Sequence, residues 1–363
     1  MFALAIVVLF FTILQFTVAG INLIYKQKIA GLKPQRNYLV SVLIPARNEA
    51  NNIGNILNDL INQPYQNIEI IVFDDQSEDQ TPQIVAQLAE IDPRIKLVTS
   101  DRLPSGWLGK NYACHSLSIL AKGDYLLFLD ADVRVGKDII GSGVAYADKH
   151  KLGLLSIFPR QLLFTIGEKS TVPIMNFILL TLLPLPMVLW SHFPSLAAAN
   201  GQFMLFSAKI YKALWPHNHA KNNKVEDIAI ARHFKENGIP IACLTGDESI
   251  QCRMYNGLKE SVNGFSKNIT AFFGNSFLLA IAFWLITSFG FIPVFIALPI
   301  NISIAYLFIL LIIRLFVTKV SNQPTLTNFL YIIPQQLIIG LLIFRAFTGK
   351  YLYQYQWKGR NIA

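Results

Sequence analysis

Charged residues are scarce in this sequence of 363 residues. They make up 15% of it, whereas a soluble domain typically carries about 25%. Apolar residues make up 53% and are concentrated in residues 1–24 and from about residue 275 onward. The middle of the chain contains Asp, Glu, Lys and Arg throughout, as an ordinary soluble domain does. This distribution predicts one soluble domain combined with membrane segments, and not two soluble domains.

Cysteine is scarce too, and several common catalytic signatures are missing. Cys114, Cys243 and Cys252 are odd in number and widely spaced, so they fit neither a disulfide framework nor a C-x-x-C metal pattern. This usage favours a reduced, cytoplasmic setting. No G-x-G-x-x-G follows the first predicted strand, which argues against a dinucleotide-dependent oxidoreductase, and nothing resembles a Ser-His-Asp set or a P-loop.

Positive charge is in excess, but it does not form a nucleic-acid-binding stripe. The net charge is +9, and a nucleic-acid partner would require a basic face on the soluble part. Many basic residues instead flank the apolar segments, where they would face anionic lipid. We therefore expect a membrane partner and no nucleic acid. The flanking residues are Lys26, Lys28, Lys33 and Arg36 near one end and Arg345, Lys350, Lys358 and Arg360 near the other.

Residues 1–25 form an apolar segment with no charge before Lys26. The segment is long enough to span roughly 30 Å of hydrocarbon. A signal peptide begins with basic residues and has a shorter apolar core, so we predict a retained N-terminal transmembrane anchor. The basic cluster that follows places the next domain in the cytoplasm by the positive-inside rule. The chain is thus expected in the cell membrane, multi-pass, with a cytoplasmic soluble domain.

Residues 275–347 are predicted to form C-terminal transmembrane helices. With the anchor, three such helices would give four crossings and leave the basic tail, residues 348–363, outside the cell, against the charge rule. Either one segment does not cross fully or the rule fails here. The three candidate segments are near 276–298, 300–318 and 326–346.

Residues 172–190 are also apolar and as long as a membrane span. Pro173, Pro184 and Pro186 argue against a regular helix over this length. A crossing here would also put the acidic groups before and after it on opposite membrane faces. We therefore predict an interfacial or re-entrant element.

The soluble middle alternates short apolar strands with helices. This alternation predicts an α/β fold with a doubly wound, mostly parallel, Rossmann-like sheet. Ligands of such sheets bind at the carboxyl ends of the strands. The predicted strands cover residues 38–48, 68–75, 95–100 and 124–132, and the predicted helices between them cover residues 49–63, 81–91 and 109–123.

Two acidic pairs follow strands of this sheet. Asp130 and Asp132 end the strand "YLLFL", and carboxylates at this spacing can share Mg²⁺ or Mn²⁺ with substrate phosphates. A solvated loop with two acids is the alternative. Asp74 and Asp75 end the second predicted strand, where they could hydrogen-bond a base or ribose or simply cap the turn.

A third acidic pair and two cations complete the candidate groups. Glu226 and Asp227 begin a helical pattern, so they either cap its N-terminus or supply a general base that takes a proton from an acceptor hydroxyl. Lys110 in "GWLGKN" and Arg253 in "QCRMY" could each pair with phosphate, and a surface cation is an equal alternative for either one alone.

Taken together and in order, six motifs resemble glycosyltransferase family 2, which has the GT-A fold. The resemblance covers about residues 40–267 and implies a cytoplasmic GT-A domain over residues 38–267. The tail "WKGR" and the flanking apolar helices are most similar to the membrane-bound bacterial branch, which includes carotenoid-acid and hopanoid-associated glycosyltransferases. The motifs are "VSVLIPARNE", "VFDDQSEDQT", "GWLGKNYA", "FLDADV", "VEDIAIARHFKENG" and "QCRMYNG".

This resemblance implies an inverting enzyme that uses a nucleotide-sugar donor, usually UDP-linked, with Mg²⁺ or Mn²⁺. Pro45, Ala46 and Glu49 would border the nucleotide, and Asp75 would meet uracil or ribose. Asp130 and Asp132 match the family's D-x-D motif, and Asp132 would be the closer metal ligand.

On the acceptor side, the resemblance makes Asp227 the catalytic base and Glu226 its neighbour. Arg253 falls near the motif that processive members write Q-x-x-R-W. The sequence here reads "QCRMY", without that tryptophan, which favours transfer of a single sugar over processive polysaccharide synthesis. The membrane segments fit a lipid or carotenoid acceptor. A non-catalytic protein that binds a nucleotide sugar remains an alternative.

Asn200, Gly201 and Gln202 are a candidate for the wall on the acceptor side. They belong to the stretch "AAANGQFML", which is rich in small residues. A tightly packed turn that leads into a strand is an equal alternative.

Overall fold

The computed structural model describes residues 1–27, 29, 31–100, 102–352, 356, 357, 360 and 361, and their side chains as far as residue 349. Of the predicted basic groups, Lys28 and Lys358 lie outside the described residues, as do residues 353–355, 359, 362 and 363 of the predicted tail 348–363. The chain divides into two compact units. The first unit comprises residues 1–26, 161–184 and 253–363, and the second comprises residues 27–160 and 185–252.

The second unit is built on a seven-stranded sheet with the order β3-β2-β1-β4-β8-β6-β9. Neighbouring strands are parallel except at β8, which is antiparallel to both β4 and β6. A short antiparallel pair, β5 with β10, lies beside it in the chain's second unit. The strands are β1 Val40–Ala46, β2 Ile68–Asp74, β3 Ile95–Thr99, β4 Tyr125–Leu129, β5 Val133–Val135, β6 Leu154–Phe158, β7 Arg160–Gln161, β8 Phe203–Ser207, β9 Ile241–Thr245, β10 Ile250–Cys252, β11 Gln356–Trp357 and β12 Arg360–Asn361.

Helices supply the rest of both units. Those of the second unit that follow strands begin close to the carboxyl ends of those strands, as in a doubly wound sheet. They are α1 Phe2–Ile24, α2 Ile53–Ile61, α3 Thr81–Ile91, α4 Gly109–Leu120, α5 Ile139–Lys149, α6 Ile166–Thr171, α7 Pro173–Leu182, α8 Pro186–Trp190, α9 Ala208–Leu214, α10 Pro216–His219, α11 Glu226–Glu236, α12 Leu258–Ser266, α13 Phe277–Phe289, α14 Phe291–Ala297, α15 Ile300–Val320, α16 Thr325–Leu330 and α17 Ile332–Leu352.

The central strands of the sheet are buried on both faces. Every residue of β2 is buried, and so is every residue of β4. Strands covered by helices on both sides read as continuous apolar runs, because neither face meets water. The four strands predicted from the sequence are present, each within three residues of its predicted ends.

Within the described part of the first unit, three helices are long and apolar enough to cross a membrane: α1, α15 and the Ile332–Gly349 part of α17. The pair α13 and α14 would make a fourth span if it is continuous, although it bends by 53° at Gly290. Residues 172–190 are not among these candidates. They form the short helices α7 and α8, which are separated at Pro184, as the prolines predicted.

Helices α1 and α15 pack side by side and run in the same direction. Near the start of α1, Val8 packs in one buried cluster with Tyr306. Further along, the rings of Phe16 and Phe316 lie 5.6 Å apart. At the carboxyl end, the Lys26 ammonium donates to the carbonyl oxygen of Lys319 at 2.8 Å. The two helices therefore end on the same side of the unit.

The bent pair α13–α14 runs in the opposite direction along α1. Phe283 of α13 meets Phe11 with ring centroids 6.1 Å apart. Further along the pair, Val294 of α14 packs against Ala5 and Val8 at the start of α1. The chain thus travels from the middle of α1 towards its amino end as it passes from α13 to α14.

Candidate active site

The carboxyl ends of β1, β2 and β4 lie together at one edge of the sheet, because β1 pairs in parallel with both of the others. Asp74 is the last residue of β2, and Asp130 directly follows β4. The sheet order therefore brings the first two acidic pairs to the same edge, as the sequence predicted.

Two loops at this edge are joined by hydrogen bonds between their backbone and side chains. The amide of Asn48 donates to the Ser77 hydroxyl at 2.9 Å, and the amide of Glu49 donates to the Thr81 hydroxyl at 2.8 Å. In the second loop, the carboxylate of Asp74 accepts from the amide of Ser77 at 3.2 Å. Asp74 is therefore engaged in capping its own turn, which is the local alternative for this residue.

Arg47 fixes the stretch that follows β2. Its guanidinium is buried and donates to the carbonyl oxygens of Asp75 and Gln76, the second at 3.1 Å. The amide of Asp75 donates to the carbonyl oxygen of Ala46 at 2.8 Å. These hydrogen bonds hold the backbone around Asp75 and Ala46 in one conformation. No feature of the sequence predicted this role for Arg47.

Lys110 joins the second and third acidic pairs. Its ammonium lies 2.8 Å from an Asp130 oxygen and 3.2 Å from a Glu226 oxygen. Burial alone would lower the pKa of this ammonium, but the charges of Asp130 and Glu226 raise it well above its ordinary value. Lys110 stays charged and holds carboxylates from two distant parts of the chain in one place.

Asp132 lies in an environment that disfavours its charged form. Burial, followed by the charges of Asp130 and Glu49, raises the pKa of Asp132 to about 7. It shares a side-chain hydrogen bond with the Cys252 thiol, but its Oδ1 atom is buried without a hydrogen-bond partner among the described residues. A carboxylate in this position is stabilised when a cation approaches it.

The donor set at Asp130 and Asp132 fits a divalent cation that keeps some of its ligands outside the protein. The two carboxylates, one of which has an oxygen without a hydrogen-bond partner among the described residues, supply hard oxygen ligands of the kind Mg²⁺ and Mn²⁺ favour. Within the described part of the chain, no group of three or more His, Cys, Asp or Glu side chains could hold a metal ion by itself. The remaining ligands would therefore have to come from water and phosphate oxygens, as is usual for Mg²⁺.

Asp227 follows Glu226 in the first turn of α11. Its two oxygens accept hydrogen bonds from the amides of Gly201 at 3.1 Å and Ile228 at 2.8 Å. Burial and the charge of Glu226 raise the pKa of Asp227 to about 7. An acid with this pKa can accept a proton near neutral pH, which is the property required of a general base.

The stretch Asn200–Gln202 connects the acidic groups to the sheet. The carbonyl oxygen of Gln202 accepts from the Asp130 amide at 3.4 Å, and its side-chain amide donates to Cys252 Sγ at 2.8 Å. A Cβ atom on Gly201 would lie 3.0 Å from the Lys110 ammonium, so a larger side chain would press on the salt bridges. The backbone amide of Asn200 donates to the Ser156 hydroxyl at 2.7 Å, which fixes the position of Asn200.

Arg253 belongs to the first unit, where it pairs with Glu168. One of its nitrogens lies 3.0 Å from a Glu168 oxygen, and its guanidinium stacks 4.8 Å from the Phe164 ring centroid. Glu168 is fully buried, so this ion pair anchors the start of the Arg253 segment.

Asn111 is a supporting residue that the sequence did not single out. Its side-chain amide donates to the carbonyl oxygens of Ala220, Lys221 and Asn223 at 2.7, 3.3 and 3.0 Å. These three carbonyls belong to the loop that leads to Glu226. Asn111, the residue after Lys110, therefore helps to position the third acidic pair. Its place in the motif "GWLGKN" is the sequence feature that could have indicated this role.

A mostly parallel α/β sheet with acidic pairs at the carboxyl ends of its strands defines the GT-A class of transferase scaffold. Residues 41–162 match the family model for glycosyl transferase family 2, so this part of the chain is a family 2 glycosyltransferase domain. Both the family and the fold predicted from the sequence are confirmed.

Curated relatives agree with this assignment. The chain is 28% identical over 239 residues to a 4,4'-diaponeurosporenoate glycosyltransferase of Staphylococcus haemolyticus strain JCSC1435, which covers 63% of the chain and 60% of the relative. It is 26% identical over 261 residues to the protein of that name from Staphylococcus aureus strain USA300, covering 69% and 66%. The chain thus spans about 60 to 66% of these relatives.

The fold is also similar to that of a mannosyltransferase from Pyrobaculum calidifontis, solved in complex with GDP-Man and Mn2+. The TM-score is 0.57 at 16% sequence identity, over 96% of this chain and 99% of the other. At this identity the likeness shows a shared fold.

Proposed function

We propose that the protein is an inverting glycosyltransferase that moves one sugar from a nucleotide-sugar donor, UDP-linked, to a lipid acceptor at the membrane. The observation that carries the proposal is the Lys110 bridge. It places Asp130 and Asp132 of the D-x-D motif next to the Glu226–Asp227 pair. These groups supply what sugar transfer requires, namely a cation site for a diphosphate and a base for an acceptor.

The donor side is formed by the edge of β1, β2 and β4. Pro45, Ala46 and Glu49 would border the nucleotide, and Asp75 would meet the base or ribose. The hydrogen bonds that hold the two loops at this edge support this assignment, because a fixed rim can recognise a rigid base. The solved mannosyltransferase with the same fold carries GDP-Man, so a panel of UDP- and GDP-linked sugars is the test of the nucleotide.

In the reaction, the acceptor oxygen forms a bond to the anomeric carbon while the bond to the diphosphate breaks on the opposite side. Asp227 accepts the proton that the acceptor hydroxyl loses, and the amides of Gly201 and Ile228 fix its position. A divalent cation held by Asp130 and Asp132 would neutralise the charge of the departing diphosphate. Lys110 is close enough to Asp130 to contribute to the same stabilisation.

The acceptor assignment draws on the relatives and on the apolar helices. The two curated relatives are named for transfer to a carotenoid acid, and an acceptor of that class is insoluble in water. Asn200, Gly201 and Gln202 would form part of the acceptor wall, since the Gly201 amide donates to Asp227, the proposed base. Arg253 would add a cation for phosphate, and the "QCRMY" variation favours single transfer.

The packing of the first unit supports three crossings of the membrane. Helices α1 and α15 end together at Lys26 and Lys319, so they cross in the same direction. The bent pair α13–α14 must then return the chain to the amino end of α1, which makes it one broken span.

Helix α17 would be the segment that does not cross. The ring of Phe347 near its carboxyl end lies 5.6 Å from that of Phe277, where α13 begins. Near its amino end, Gln335 donates to the carbonyl oxygen of Lys169 in α6, directly before the predicted interfacial segment 172–190, at 3.1 Å. Both ends would thus remain on the cytoplasmic side. The basic tail then also stays inside, in agreement with the positive-inside rule.

The test is an Asp132→Asn substitution. Because Asp132 Oδ1 takes part in no hydrogen bond among the described residues, the substitution removes the metal ligand with little loss of folding contacts. We expect release of UDP from donor and membrane extract to fall by about 10²-fold or more at unchanged thermal stability. Asp138→Asn, an exposed acid in a left-handed backbone position that Asn tolerates, is the matched control. Unchanged transfer by Asp132→Asn would refute the proposed metal role.

A further inference from the structure

The first unit carries far more positive than negative charge. Its segments contain eleven Lys and Arg residues but two acids, Glu168 and Glu260. Glu168 accepts from Arg253 at 3.0 Å and from the amide of Gly257 at 3.1 Å, and Glu260 accepts from the amide of Asn256 at 2.8 Å. Both acids are therefore engaged at the start of α6 and α12.

Arg314 is a buried cation in the middle of this acid-poor unit. It belongs to the apolar helix α15, and 5% of its surface is exposed. One terminal nitrogen, Nη1, donates to the Gln335 side-chain oxygen at 2.8 Å. The guanidinium carbon lies 3.7 Å from the Phe177 ring centroid. The other terminal nitrogen, Nη2, is buried and meets no hydrogen-bond acceptor among the described residues.

Gln335 is oriented to serve Arg314. Its side-chain amide nitrogen donates to the carbonyl oxygen of Lys169 at 3.1 Å, which turns its oxygen towards the guanidinium. The contact therefore has a fixed geometry, with three elements (α7, α15 and α17) converging on one charge. No acid of the sequence lies between Glu260 and the carboxyl end, so the neighbouring helices α13 to α17 cannot supply a carboxylate.

Burying a guanidinium without an anion is unfavourable, since one ring and one amide replace only part of its hydration. A charged residue inside a membrane segment that meets no acid in its own chain points to a ligand of opposite charge. The planar fork of Arg is shaped for two-point binding of a carboxylate or phosphate, and Nη2 is the donor left over.

We propose that Arg314 binds the oxyanion headgroup of an acidic lipid. A lipid fits better than a soluble anion because the outward residues of α15 around Arg314 are exposed and apolar, as Leu311 and Leu315 show. A carboxylic acceptor lipid and an anionic phospholipid share this headgroup chemistry. The inference stands apart from the proposed function, because its test measures lipid binding and not sugar transfer.

The experiment uses the purified full chain in a neutral detergent, with lipid binding read by native mass spectrometry and by the thermal midpoint. The probes are oleate against methyl oleate and dioleoyl phosphatidate against dioleoylglycerol. We expect at least one acidic probe to bind ten-fold more tightly than its uncharged partner. Arg314→Gln should abolish this preference. Arg345→Gln removes the same charge from α17 and should keep it.

The two pairs of probes distinguish which class of acidic lipid binds at Arg314. Preference for oleate alone assigns the site to carboxylic lipids, preference for phosphatidate alone assigns it to phospholipids, and preference for both supports a general oxyanion site. Arg314→Lys keeps the charge without the fork and should retain a weakened preference if Arg314→Gln does not fold. The proposal is overturned if the wild-type protein binds acidic and uncharged probes equally, or if Arg314→Gln binds them as the control does.

Discussion

Lys110 shows how one side chain organises a site from residues that are far apart in sequence. It pairs with Asp130, 20 positions later, and with Glu226 at the first turn of α11. Without this cation, both carboxylates would face each other and Asp227 in a buried environment. The same cation offsets part of the negative charge at Asp130 and Glu226 and so reduces their mutual repulsion.

The pKa of Asp227 makes a direct prediction about pH dependence. Burial and Glu226 raise this pKa to about 7, from an ordinary value of about 3.9. Only the deprotonated carboxylate can accept a proton, so kcat should rise about ten-fold per pH unit below pH 7 and level off above it. Asp227→Asn should lower kcat by about 10²-fold or more and remove this slope. The measurement is kcat between pH 5 and 9 with saturating donor.

Glu236→Gln is a matched control for Asp227→Asn, because it changes an exposed acid at the far end of the same helix. It should keep both the rate and the slope. If Asp227→Asn retains the wild-type rate at every pH, the acceptor reacts as an anion and needs no base.

The sequence predicted the acidic residues of the candidate site better than the residues that position them. Asp130, Asp132 and Asp227 stand out because an acidic pair follows an apolar strand or begins a helical pattern. For Lys110, a surface cation was an equal alternative, since pairing over more than 100 positions has no local signal. Asn111 was missed for the same reason, because its three acceptor carbonyls lie about 110 positions further along the chain.

At the level of elements, local pattern predicted β1 to β4 but not their order with the later strands. Strand β8 lies between β4 and β6 and runs against both, although β6 precedes it in the chain. An apolar strand of five residues carries no information about its neighbours, which long-range packing decides. The proline-rich segment 172–190 was easier, because proline acts locally on helix continuity.

The turn between α4 and β4 depends on Gly123, and this dependence can be tested. A Cβ atom at Gly123 would lie 2.6 Å from the backbone nitrogen of Ser41 and 2.8 Å from the carbonyl oxygen of Leu39. Because backbone atoms of β1 cannot move aside cheaply, Gly123→Ala should destabilise the fold by about 1–3 kcal/mol. Thermal denaturation followed by circular dichroism measures the loss.

Gly54→Ala is the control for this substitution. Its Cβ atom would make an ordinary 3.5 Å contact with Ile84, and Gly54 lies inside helix α2, where alanine is preferred. We expect a stability equal to that of the wild type or about 0.5–1 kcal/mol higher. A Gly123→Ala variant as stable as Gly54→Ala would contradict the close approach at β1.

At the scale of the whole molecule, each compact unit is assembled from separated stretches of sequence. The first unit takes its residues from both ends of the chain and from 161–184, and the second takes 27–160 and 185–252. Composition along the sequence could locate the apolar segments. It could not predict which of them pack together, because α1 and α15 are about 300 positions apart and are joined by contacts such as Phe16 with Phe316.

The proposed topology has three crossings and predicts which side of the membrane each part of the chain faces. The native cysteines are all buried, so single introduced cysteines can report on accessibility. Asn301→Cys, at the exposed start of α15, should react with a membrane-impermeant maleimide in intact cells. Lys122→Cys, exposed in the second unit, should react only after the cells are opened.

A second accessibility experiment tests whether α17 crosses the membrane. A protease-cleavable tag placed after Ala363 should be protected in intact cells and cut in opened ones, because α17 begins and ends on the cytoplasmic side in the proposed topology. Cleavage of the tag in intact cells would mean that α17 crosses fully and that the basic tail breaks the positive-inside rule. Labelling of Lys122→Cys in intact cells would put Asp130, Asp132 and Asp227 on the outer side of the membrane. A cytoplasmic nucleotide sugar could not reach them there.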